Sequence, residues 1–158
     1  RVWTSRSVNK MKLDLVPKKR IGPIELGMTR LEVRSVMEKA GHPICREKKS
    51  MDYFFEHSIQ AEYEDETVSF IGVASNEKLE LRYKETDLFD ISAKDAFSLI
   101  NSHESKNHRF SEYEYVFPDQ IITLWEADPQ YDYKRGEQRP VWGQIGIGDQ
   151  RYLDYATK

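Results

Sequence analysis

Residues 27–43 read GMTRLEVRSVMEKAGHP, and this stretch predicts a short, sharply bounded helix. The Thr29 hydroxyl can accept a backbone N–H of the first turn, and the Glu32 side chain can accept the Thr29 N–H, which completes a capping box. Gly41 suits the left-handed conformation that ends a helix, and Pro43 prevents its continuation. The spacing of apolar residues predicts one buried stripe made of Leu31, Val33, Val36, Met37 and Ala40.

The composition is that of a folded globular protein. The chain has 158 residues, of which 39% are hydrophobic and 32% charged, with a net charge of −3. A chain of this size can bury roughly 70% of its unfolded surface. No apolar run approaches the roughly 18 residues that span a bilayer, and the acidic balance disfavours phosphate binding. We therefore expect one domain over residues 11–158, with neither nucleic acid nor a membrane as its partner.

The cysteine content and the start of the chain bear on its cellular location. Cys45 is the single cysteine, which excludes an internal disulfide and favours a reducing compartment. No signal-peptide pattern is present, so we expect a cytoplasmic protein. Residues 1–10 carry basic residues and no acid, and we interpret them as an upstream extension or an appended remnant. We expect Cys45 to be a buried or half-buried structural residue.

Strand-like patterns follow the helix at residues 52–56, 59–63 and 68–73. Ile59 and Tyr63 fall on one face of the second strand, while Gln60, Glu62 and Glu64 fall on the other. Turns at 57–58 and 64–67 connect the strands. The pattern predicts a three-stranded meander with one solvated face.

The same order recurs 63 residues later. Ser92 and Asp95 suit the start of a second helix, and strand-like patterns follow at 113–117, 121–125 and 141–147. Residues 128–139 are predicted to form a long loop. We therefore predict an α+β fold of two tandem α-β-β-β units, at about residues 21–75 and 86–150. The units should form a mostly antiparallel sheet with the helices packed on one face.

The helix motif carries a family resemblance. Gly27-Met28-Thr29, Glu32-Val33, Gly41 and Pro43 resemble the G-M-T-x-x-E-V…G-x-P helix start of SmpA/OmlA-type outer-membrane lipoproteins. The helix-then-meander unit, used twice, is similar to the β-lactamase-inhibitor-protein fold. Small bacterial proteins with an Ile-x-Leu-Gly-Met-Thr start, which is residues 24–29 here, also occur among toxin-immunity and uncharacterised proteins, and the chain looks most like these. The resemblance implies a fold, and it implies function only through the site that the fold presents.

Motifs for catalysis and cofactor binding are weak. The sequence has no P-loop and no Gly-x-Gly-x-x-Gly motif before a helix. The glycines of residues 143–148 are interpreted as closely packed strand glycines. A metal site at His103, Glu104 and His108 stays open as a weak alternative, because metal sites need three or four convergent ligands. We expect no catalytic residues, no metal and no cofactor.

Acidic and aromatic residues are concentrated at residues 111–133, and a second acidic group lies at 62–66. Aromatic side chains supply binding energy at protein interfaces, and acids orient a basic partner. The alternative is that the aromatics belong to the core and the acids only solvate the surface. The predicted partner-binding residues are Glu62, Glu64, Asp65, Glu66, Trp125, Glu126, Asp128, Tyr131, Asp132 and Tyr133.

These features favour a bacterial immunity protein that is not an enzyme. We expect it to bind a cognate toxin domain and block its active site, and a nuclease would suit an acidic face because nucleases carry basic grooves. A general binding or envelope-assembly module is the first alternative. A small enzyme or ligand-binding protein is the second. The sequence does not predict an oligomeric state.

Overall fold

The computed structural model describes residues 10–134 and 137–158, without the side chains of 129–138. In these residues the fold is α+β, with three helices and two mostly antiparallel sheets, as predicted. The elements are β1 (Met11–Val16), β2 (Arg20–Ile21), β3 (Ile24–Glu25), α1 (Arg30–Lys39), β4 (Ile44–Lys48), β5 (Met51–Phe54), β6 (Ile59–Glu64), β7 (Thr67–Ala74), β8 (Leu79–Tyr83), β9 (Thr86–Asp87), α2 (Ala93–Asn101), β10 (Glu114–Phe117), β11 (Ile122–Lys134), β12 (Glu137–Gly148) and α3 (Gln150–Ala156).

The larger sheet has seven strands in the order β10-β11-β12-β7-β6-β5-β4. Strands β4 to β7, which come after α1, form one half of this sheet, and strands β10 to β12, which come after α2, form the other. The halves meet where β12 pairs antiparallel with β7, with Ile145 opposite Val73. The first half has four strands and the second has three, and the extra strand, β4, was not predicted. The tandem repeat therefore stays a prediction, and the two halves join edge to edge in one sheet.

Helix α1 begins and ends as its sequence predicts. The Glu32 backbone N–H donates to Thr29 Oγ1 at 3.2 Å, and the Thr29 N–H donates to Glu32 Oε1 at 2.9 Å. Gly41, with φ of 88°, follows the helix in the left-handed region. Val33 and Met37 are buried, but Leu31 is 78% exposed, so its place in the stripe was predicted wrongly. Two residues correspond to about 200° around a helix, which turns Leu31 away from Val33.

The helices lie on both faces of the larger sheet. Arg34 of α1 donates a hydrogen bond to Asp52 of β5, and Trp142 Nε1 of β12 donates to the Ala93 carbonyl of α2. Helices α1 and α2 therefore both cover the buried face of the sheet. Helix α3 lies on the opposite face, where Tyr152 stacks on Phe70 with ring centroids 4.6 Å apart. The expectation that the helices share one face holds for α1 and α2 but not for α3. The last helix was not predicted.

A buried carboxylate fixes α1 to the sheet. Asp52 is fully buried and accepts hydrogen bonds from Arg30, Arg34 and Tyr63. Burial favours the neutral acid, but the hydrogen bonds from Arg34, Arg30 and Tyr63 outweigh burial and lower the pKa of Asp52. Arg30 also donates to the Lys48 carbonyl at 2.5 Å and to the carbonyls of Lys49 and Met51, which lie at the β4–β5 turn. One ion cluster thus joins α1, β5 and the turn.

A second, smaller sheet completes the core. Its order is β3-β2-β1-β8-β9, and β1 pairs with β8 in parallel, with Leu13 opposite Leu81. Both leucines are buried in the same cluster as the apolar face of the larger sheet. The parallel pairing of β1 with β8 joins segments that are far apart in the chain, and the sequence analysis did not predict it.

The prediction of a long loop at residues 128–139 is wrong. The backbones of β11 and β12 continue as a long hairpin, with Pro129 opposite Pro140 and Lys134 opposite Glu137. The register shifts between Pro129 and Tyr133. Proline has no N–H to donate to a ladder, but an irregular place in a strand tolerates it, so these prolines do not end the pairing.

Candidate functional site

A groove lies on the face of the larger sheet that carries α3. Strand alternation places Ala61 and Ile71 on the buried face, and their neighbours Glu62 and Phe70 on this open face. The groove has a volume of about 330 Å³. We call it the open-face groove, and its lining residues are Gln60, Glu62, Phe70, Glu114, Thr123, Leu124, Trp125, Gln144 and Tyr152.

Two glycines of β12 leave the space in which the side chains of Phe70 and Tyr152 pack. A Cβ at Gly146 would lie 2.4 Å from Phe70, and one at Gly148 would lie 2.5 Å from Tyr152. The absence of side chains there lets the Phe70 ring lie on β12 and lets Tyr152 of α3 stack on Phe70. The interpretation of 143–148 as closely packed strand glycines is confirmed at these two positions.

A chain of amides leads to a carboxylate on the groove's polar side. Gln144 Nε2 donates to Gln60 Oε1 at 3.1 Å, and Gln60 Nε2 donates to Glu62 Oε2 at 2.7 Å. Burial raises the pKa of Glu62, and the bond from Gln60 only partly offsets this. Burial together with the charge of Glu62 raises the pKa of Tyr152. Burial therefore disfavours the charged form of Glu62.

Trp125 provides the exposed apolar surface of the groove. Its side chain is 48% exposed, whereas Trp142 on the opposite face is fully buried. Glu126 has φ of 46°, which interrupts the regular pleat of β11 directly after Trp125. Trp125 therefore lines the open-face groove, while Asp128 lines a separate groove of about 470 Å³ beside the start of α2.

A second groove adjoins the first along the edge strand β10. Its volume is about 620 Å³, and it shares Glu114 and Tyr152 with the open-face groove. Tyr155 of α3 also lines it and is 76% exposed, and Lys158 contributes a positive charge. Tyr113, just before β10, is exposed as well. Large aromatic side chains that are this exposed, beside acids, are typical of protein interfaces.

The predicted partner-binding residues are brought together only in part. Glu62 and Trp125 line one groove. Glu64, Asp65 and Glu66 form the exposed β6–β7 turn, where Asp65 and Glu66 adopt left-handed conformations. Arg151 of α3 donates to the Glu64 carbonyl at 2.8 Å and partly offsets the charge of that turn.

The remaining predicted residues do not join the groove's lining. Glu126 is exposed beside Trp125, and Asp128 lies at the separate groove next to α2. Tyr131, Asp132 and Tyr133 have side chains outside the described residues. The set predicted as one surface is thus divided, and Glu62 with Trp125 is the part that the geometry joins.

The predicted partner-binding set omits seven of the nine residues that line this groove, among them Phe70, Gln60, Gln144 and Tyr152. Phe70 was assigned only to a strand, while Gln60 and Gln144 were not assigned a role. Tyr152 was missed because α3 was missed. The signal for α3 is Asp149, whose side chain accepts the Tyr152 N–H at 3.2 Å as a helix cap.

Two further clusters contain reactive residue types. Cys45 is exposed, which corrects the expectation of a buried thiol, and its Sγ lies 3.9 Å from His57 Nδ1. Elsewhere, His108 Nδ1 lies 2.5 Å from the Tyr115 hydroxyl, and its Nε2 lies 3.5 Å from Glu104. Glu104 also accepts the Gln120 N–H at 3.0 Å, so it ties the loop after α2 to the β10–β11 turn. Across the described part of the chain, no three potential ligands converge as a metal site requires.

Comparisons with known proteins give no relative. No family model matches the chain, and neither a curated protein nor a solved structure is significantly similar to it. Within the described residues, no helix has the length and apolar character needed to cross a membrane.

Proposed function

We propose that this chain is a cytoplasmic, non-enzymatic bacterial immunity protein that binds and neutralises a cognate toxin domain. The observation that carries the proposal is the open-face groove, whose lining includes Glu62, Glu114 and the half-exposed Trp125; Glu114 lies directly opposite Trp125 on β10. The Ile-x-Leu-Gly-Met-Thr start at residues 24–29, which resembles that of some toxin-immunity proteins, supports the same class.

The chemistry of this face favours a basic protein partner. Carboxylates on the rim attract positive charge over a distance of about 10 Å at ordinary ionic strength. The aromatic side chains of Trp125 and Tyr155 then bury area on contact with little loss of conformational freedom. A nuclease domain fits this charge, because its substrate groove is basic. An immunity protein that covers such a groove blocks the enzyme without any chemistry of its own.

The extended edge at β10 enlarges the contact area. The two grooves share Glu114 and Tyr152 and so form one continuous surface from β6 to the end of α3. A stable protein–protein interface needs about 800 Å² on each partner. A single small pocket does not offer that area, so the proposed interface extends over both grooves.

The test begins with capture of the partner in the native host. The bait is the tagged chain, and it is compared with a variant that combines Glu114→Lys and Glu126→Lys. A matched control combines Glu25→Lys and Glu38→Lys, which reverse two exposed charges outside the groove. We expect the wild type and the control to retain one basic protein in a stoichiometric complex. The Glu114→Lys/Glu126→Lys variant, which reverses one charge in the groove and one beside it, should lose that protein. A complex that forms equally well with all three baits would contradict the proposed surface.

Capture alone does not establish immunity, so the captured protein is then expressed by itself. We expect it to arrest growth, and co-expression of the wild-type chain to restore growth. A captured protein that is harmless when expressed alone would overturn the immunity function.

A further inference from the structure

Strand β10 lies at one end of the larger sheet, where β11 is its single partner among the described strands. Two hydrogen bonds show which of its backbone groups point toward β11. The Glu126 N–H donates to the Tyr113 carbonyl at 2.6 Å. The Ile121 N–H donates to the Phe117 carbonyl at 2.8 Å in the turn that leads into β11. Because backbone groups alternate in direction along a strand, the groups of the odd-numbered β10 residues point toward β11.

The backbone N–H and C=O of Glu114 and Val116 therefore point away from the sheet. In the described part of the chain, no loop or turn hydrogen bond uses these groups. The groove of about 620 Å³ is lined by Glu114, Tyr115 and Val116 together. Successive strand residues point to opposite faces, so three in a row line one groove only where it runs along the edge of the strand. The outer edge of β10 is therefore accessible.

The opposite end of the same sheet is protected against strand pairing. Its last strand, β4, carries Arg46 and Lys48 and has a bulge between Ile44 and Arg46. Charged side chains, lysine above all, and bulges prevent other strands from pairing with an edge. Strand β10 keeps an uninterrupted register with β11 and contains neither lysine nor proline. One end of the sheet is thus closed to a further strand, and the β10 end is not.

Helix α3 provides a wall beside the β10 edge. Burial is the largest cause that raises the pKa of Tyr152, but a hydrogen bond with Thr123 and the charge of Glu114 also act on it. Thr123 lies opposite Val116 in the β10–β11 pair, so the Tyr152 hydroxyl lies close to the edge strand. Tyr155, three residues later on α3, is 76% exposed and lines the same groove. A strand added to β10 would therefore cover exposed aromatic surface.

We propose that the β10 edge binds an extended segment of the partner protein as one more antiparallel strand of the larger sheet. Main-chain hydrogen bonds to the outward groups of Glu114 and Val116 supply the affinity, and a basic residue of the segment beside Glu114 supplies selectivity. This inference deepens the proposed function and rests on it only for the identity of the protein that provides the segment.

The charge of Glu114 favours a basic segment over a second copy of this chain. Antiparallel pairing of two β10 strands through their outward groups places Glu114 opposite or diagonal to the same residue of the other copy. Like charges at such cross-strand positions are destabilising, whereas a pair of opposite charges is stabilising. Valine or threonine in the neighbouring positions of the segment suits a pleated surface and can pack beside Val116 and Tyr155.

The experiment measures amide hydrogen exchange in the full chain by NMR. The probe is a blocked peptide, acetyl-Lys-Thr-Val-Arg-Val-Thr-Lys-amide, at concentrations up to about 5 mM, since a short flexible segment binds weakly. In the free protein we expect fast exchange at Glu114 and Val116 and slow exchange at Tyr115, which bonds to β11. At saturation with the peptide, exchange at Glu114 and Val116 should slow about tenfold, and that at Tyr115 should not change.

Two methylated peptides distinguish strand pairing from charge attraction. With the arginine beside Glu114, the amides of both threonines point toward β10 and those of both valines point away. N-methylation of the two threonines should therefore abolish the protection, and N-methylation of the two valines should preserve it. A peptide with glutamate in place of its lysines and arginine should bind several-fold more weakly. Equal effects of the two methylations would overturn the strand site.

Variants of the chain supply the matching test on the protein side. Val116→Pro removes an outward N–H that the β10–β11 pairing does not use, and an edge strand tolerates proline at such a position. It should lose the peptide while its spectrum shows the fold retained. Glu114→Lys should weaken binding several-fold, because it replaces attraction with repulsion. Glu38→Lys, on an exposed part of α1, should leave binding unchanged. Unchanged binding by both Val116→Pro and Glu114→Lys would overturn the strand site.

Exchange in the free protein is a criterion of its own. Amides of Glu114 and Val116 that are as protected as that of Tyr115 would show that the edge is covered and would overturn the inference. Protection of these two amides that rises with protein concentration would identify a second copy as the occupant, with the same consequence.

The outcomes separate this inference from the proposed function. If the peptide binds as expected but the captured protein is harmless, the strand site stands and the immunity function fails. If a toxin is neutralised while the Glu114 and Val116 amides exchange as fast in the complex as in the free chain, the immunity function stands and the strand site fails.

Discussion

Replacing Asp52 by asparagine tests the ion cluster that holds α1 on the sheet. In the wild type the carboxylate accepts five hydrogen bonds of 2.8–3.3 Å, two each from Arg30 and Arg34 and one from Tyr63. Asparagine keeps the shape but loses the charge and turns an NH₂ group toward donors. The two guanidinium groups then keep only the exposed carboxylate of Glu47, which lies 3.5 Å from Arg34.

The structure sets the size of the effect. Removal of one partner from a buried ion pair costs about 3–5 kcal/mol. The side chains of Arg30 and Arg34 are 15% and 30% exposed, so water can partly solvate them in the variant. We therefore expect a loss near the lower limit, about 3 kcal/mol. Tyr63→Phe removes one hydrogen bond and leaves the ion pairs, so it should cost about 1 kcal/mol.

Urea unfolding at pH 7, followed by tryptophan fluorescence, measures both variants. For a urea dependence of about 2 kcal/mol/M, Asp52→Asn should lower the midpoint by about 1.5 M. The pH dependence supplies a second criterion. Because the folded pKa of Asp52 is lowered, its contribution is complete well above the unfolded value of about 3.9 and is lost as the pH falls through the folded pKa.

The gap between wild type and Asp52→Asn should therefore be full at pH 7 and smaller at pH 3. A loss of less than about 1 kcal/mol at pH 7 would refute the reasoning, because an uncompensated buried charge costs more than that. A gap that stays constant between pH 7 and pH 3 would also refute it, since protonation removes the charge in question.

Three further changes test the core and the groove. Trp142→Ala should lower the free energy of unfolding by about 3–5 kcal/mol, because Trp142 is fully buried. Trp125→Ala should lower it by less than about 1 kcal/mol, because Trp125 is 48% exposed. Paired urea titrations measure both variants. Gly146→Ala should cost about 1–3 kcal/mol in the same assay, because its methyl group would collide with Phe70 and the Ile71 carbonyl. Glu62→Gln should equal or exceed the wild type in stability at pH 7: burial raises the pKa of Glu62, so the wild type loses stability relative to the variant as the pH rises from 4 to 7.

Local signals predicted the parts of the fold that local physics determines. The capping box at Thr29 and the left-handed Gly41 set the bounds of α1, and strand alternation placed Glu62 on the open face. These features depend on neighbours in sequence. Leu31 was misassigned because the apolar stripe was drawn too wide.

Features that depend on distant neighbours were not predictable. Asp52 looked like an ordinary strand residue, since its arginine partners lie 18 and 22 positions away on α1. The parallel pairing of β1 with β8 joins segments that are far apart in the chain. The groove draws its walls from β6, β7, β10, β11, β12 and α3. The sequence indicated that acids and aromatics have a role, but which of them share a groove follows from this long-range pairing.

The most direct measurement of the immunity function is growth rescue by matched variants. Cells that express the captured basic toxin domain are supplied with the wild-type chain, with Glu114→Lys/Glu126→Lys, or with Glu25→Lys/Glu38→Lys, each at verified equal abundance. The open-face groove predicts that the wild type and the last variant restore growth, while the Glu114→Lys/Glu126→Lys variant leaves the cells arrested. Full rescue by that variant would contradict the claim that this acidic, aromatic face binds and neutralises the toxin.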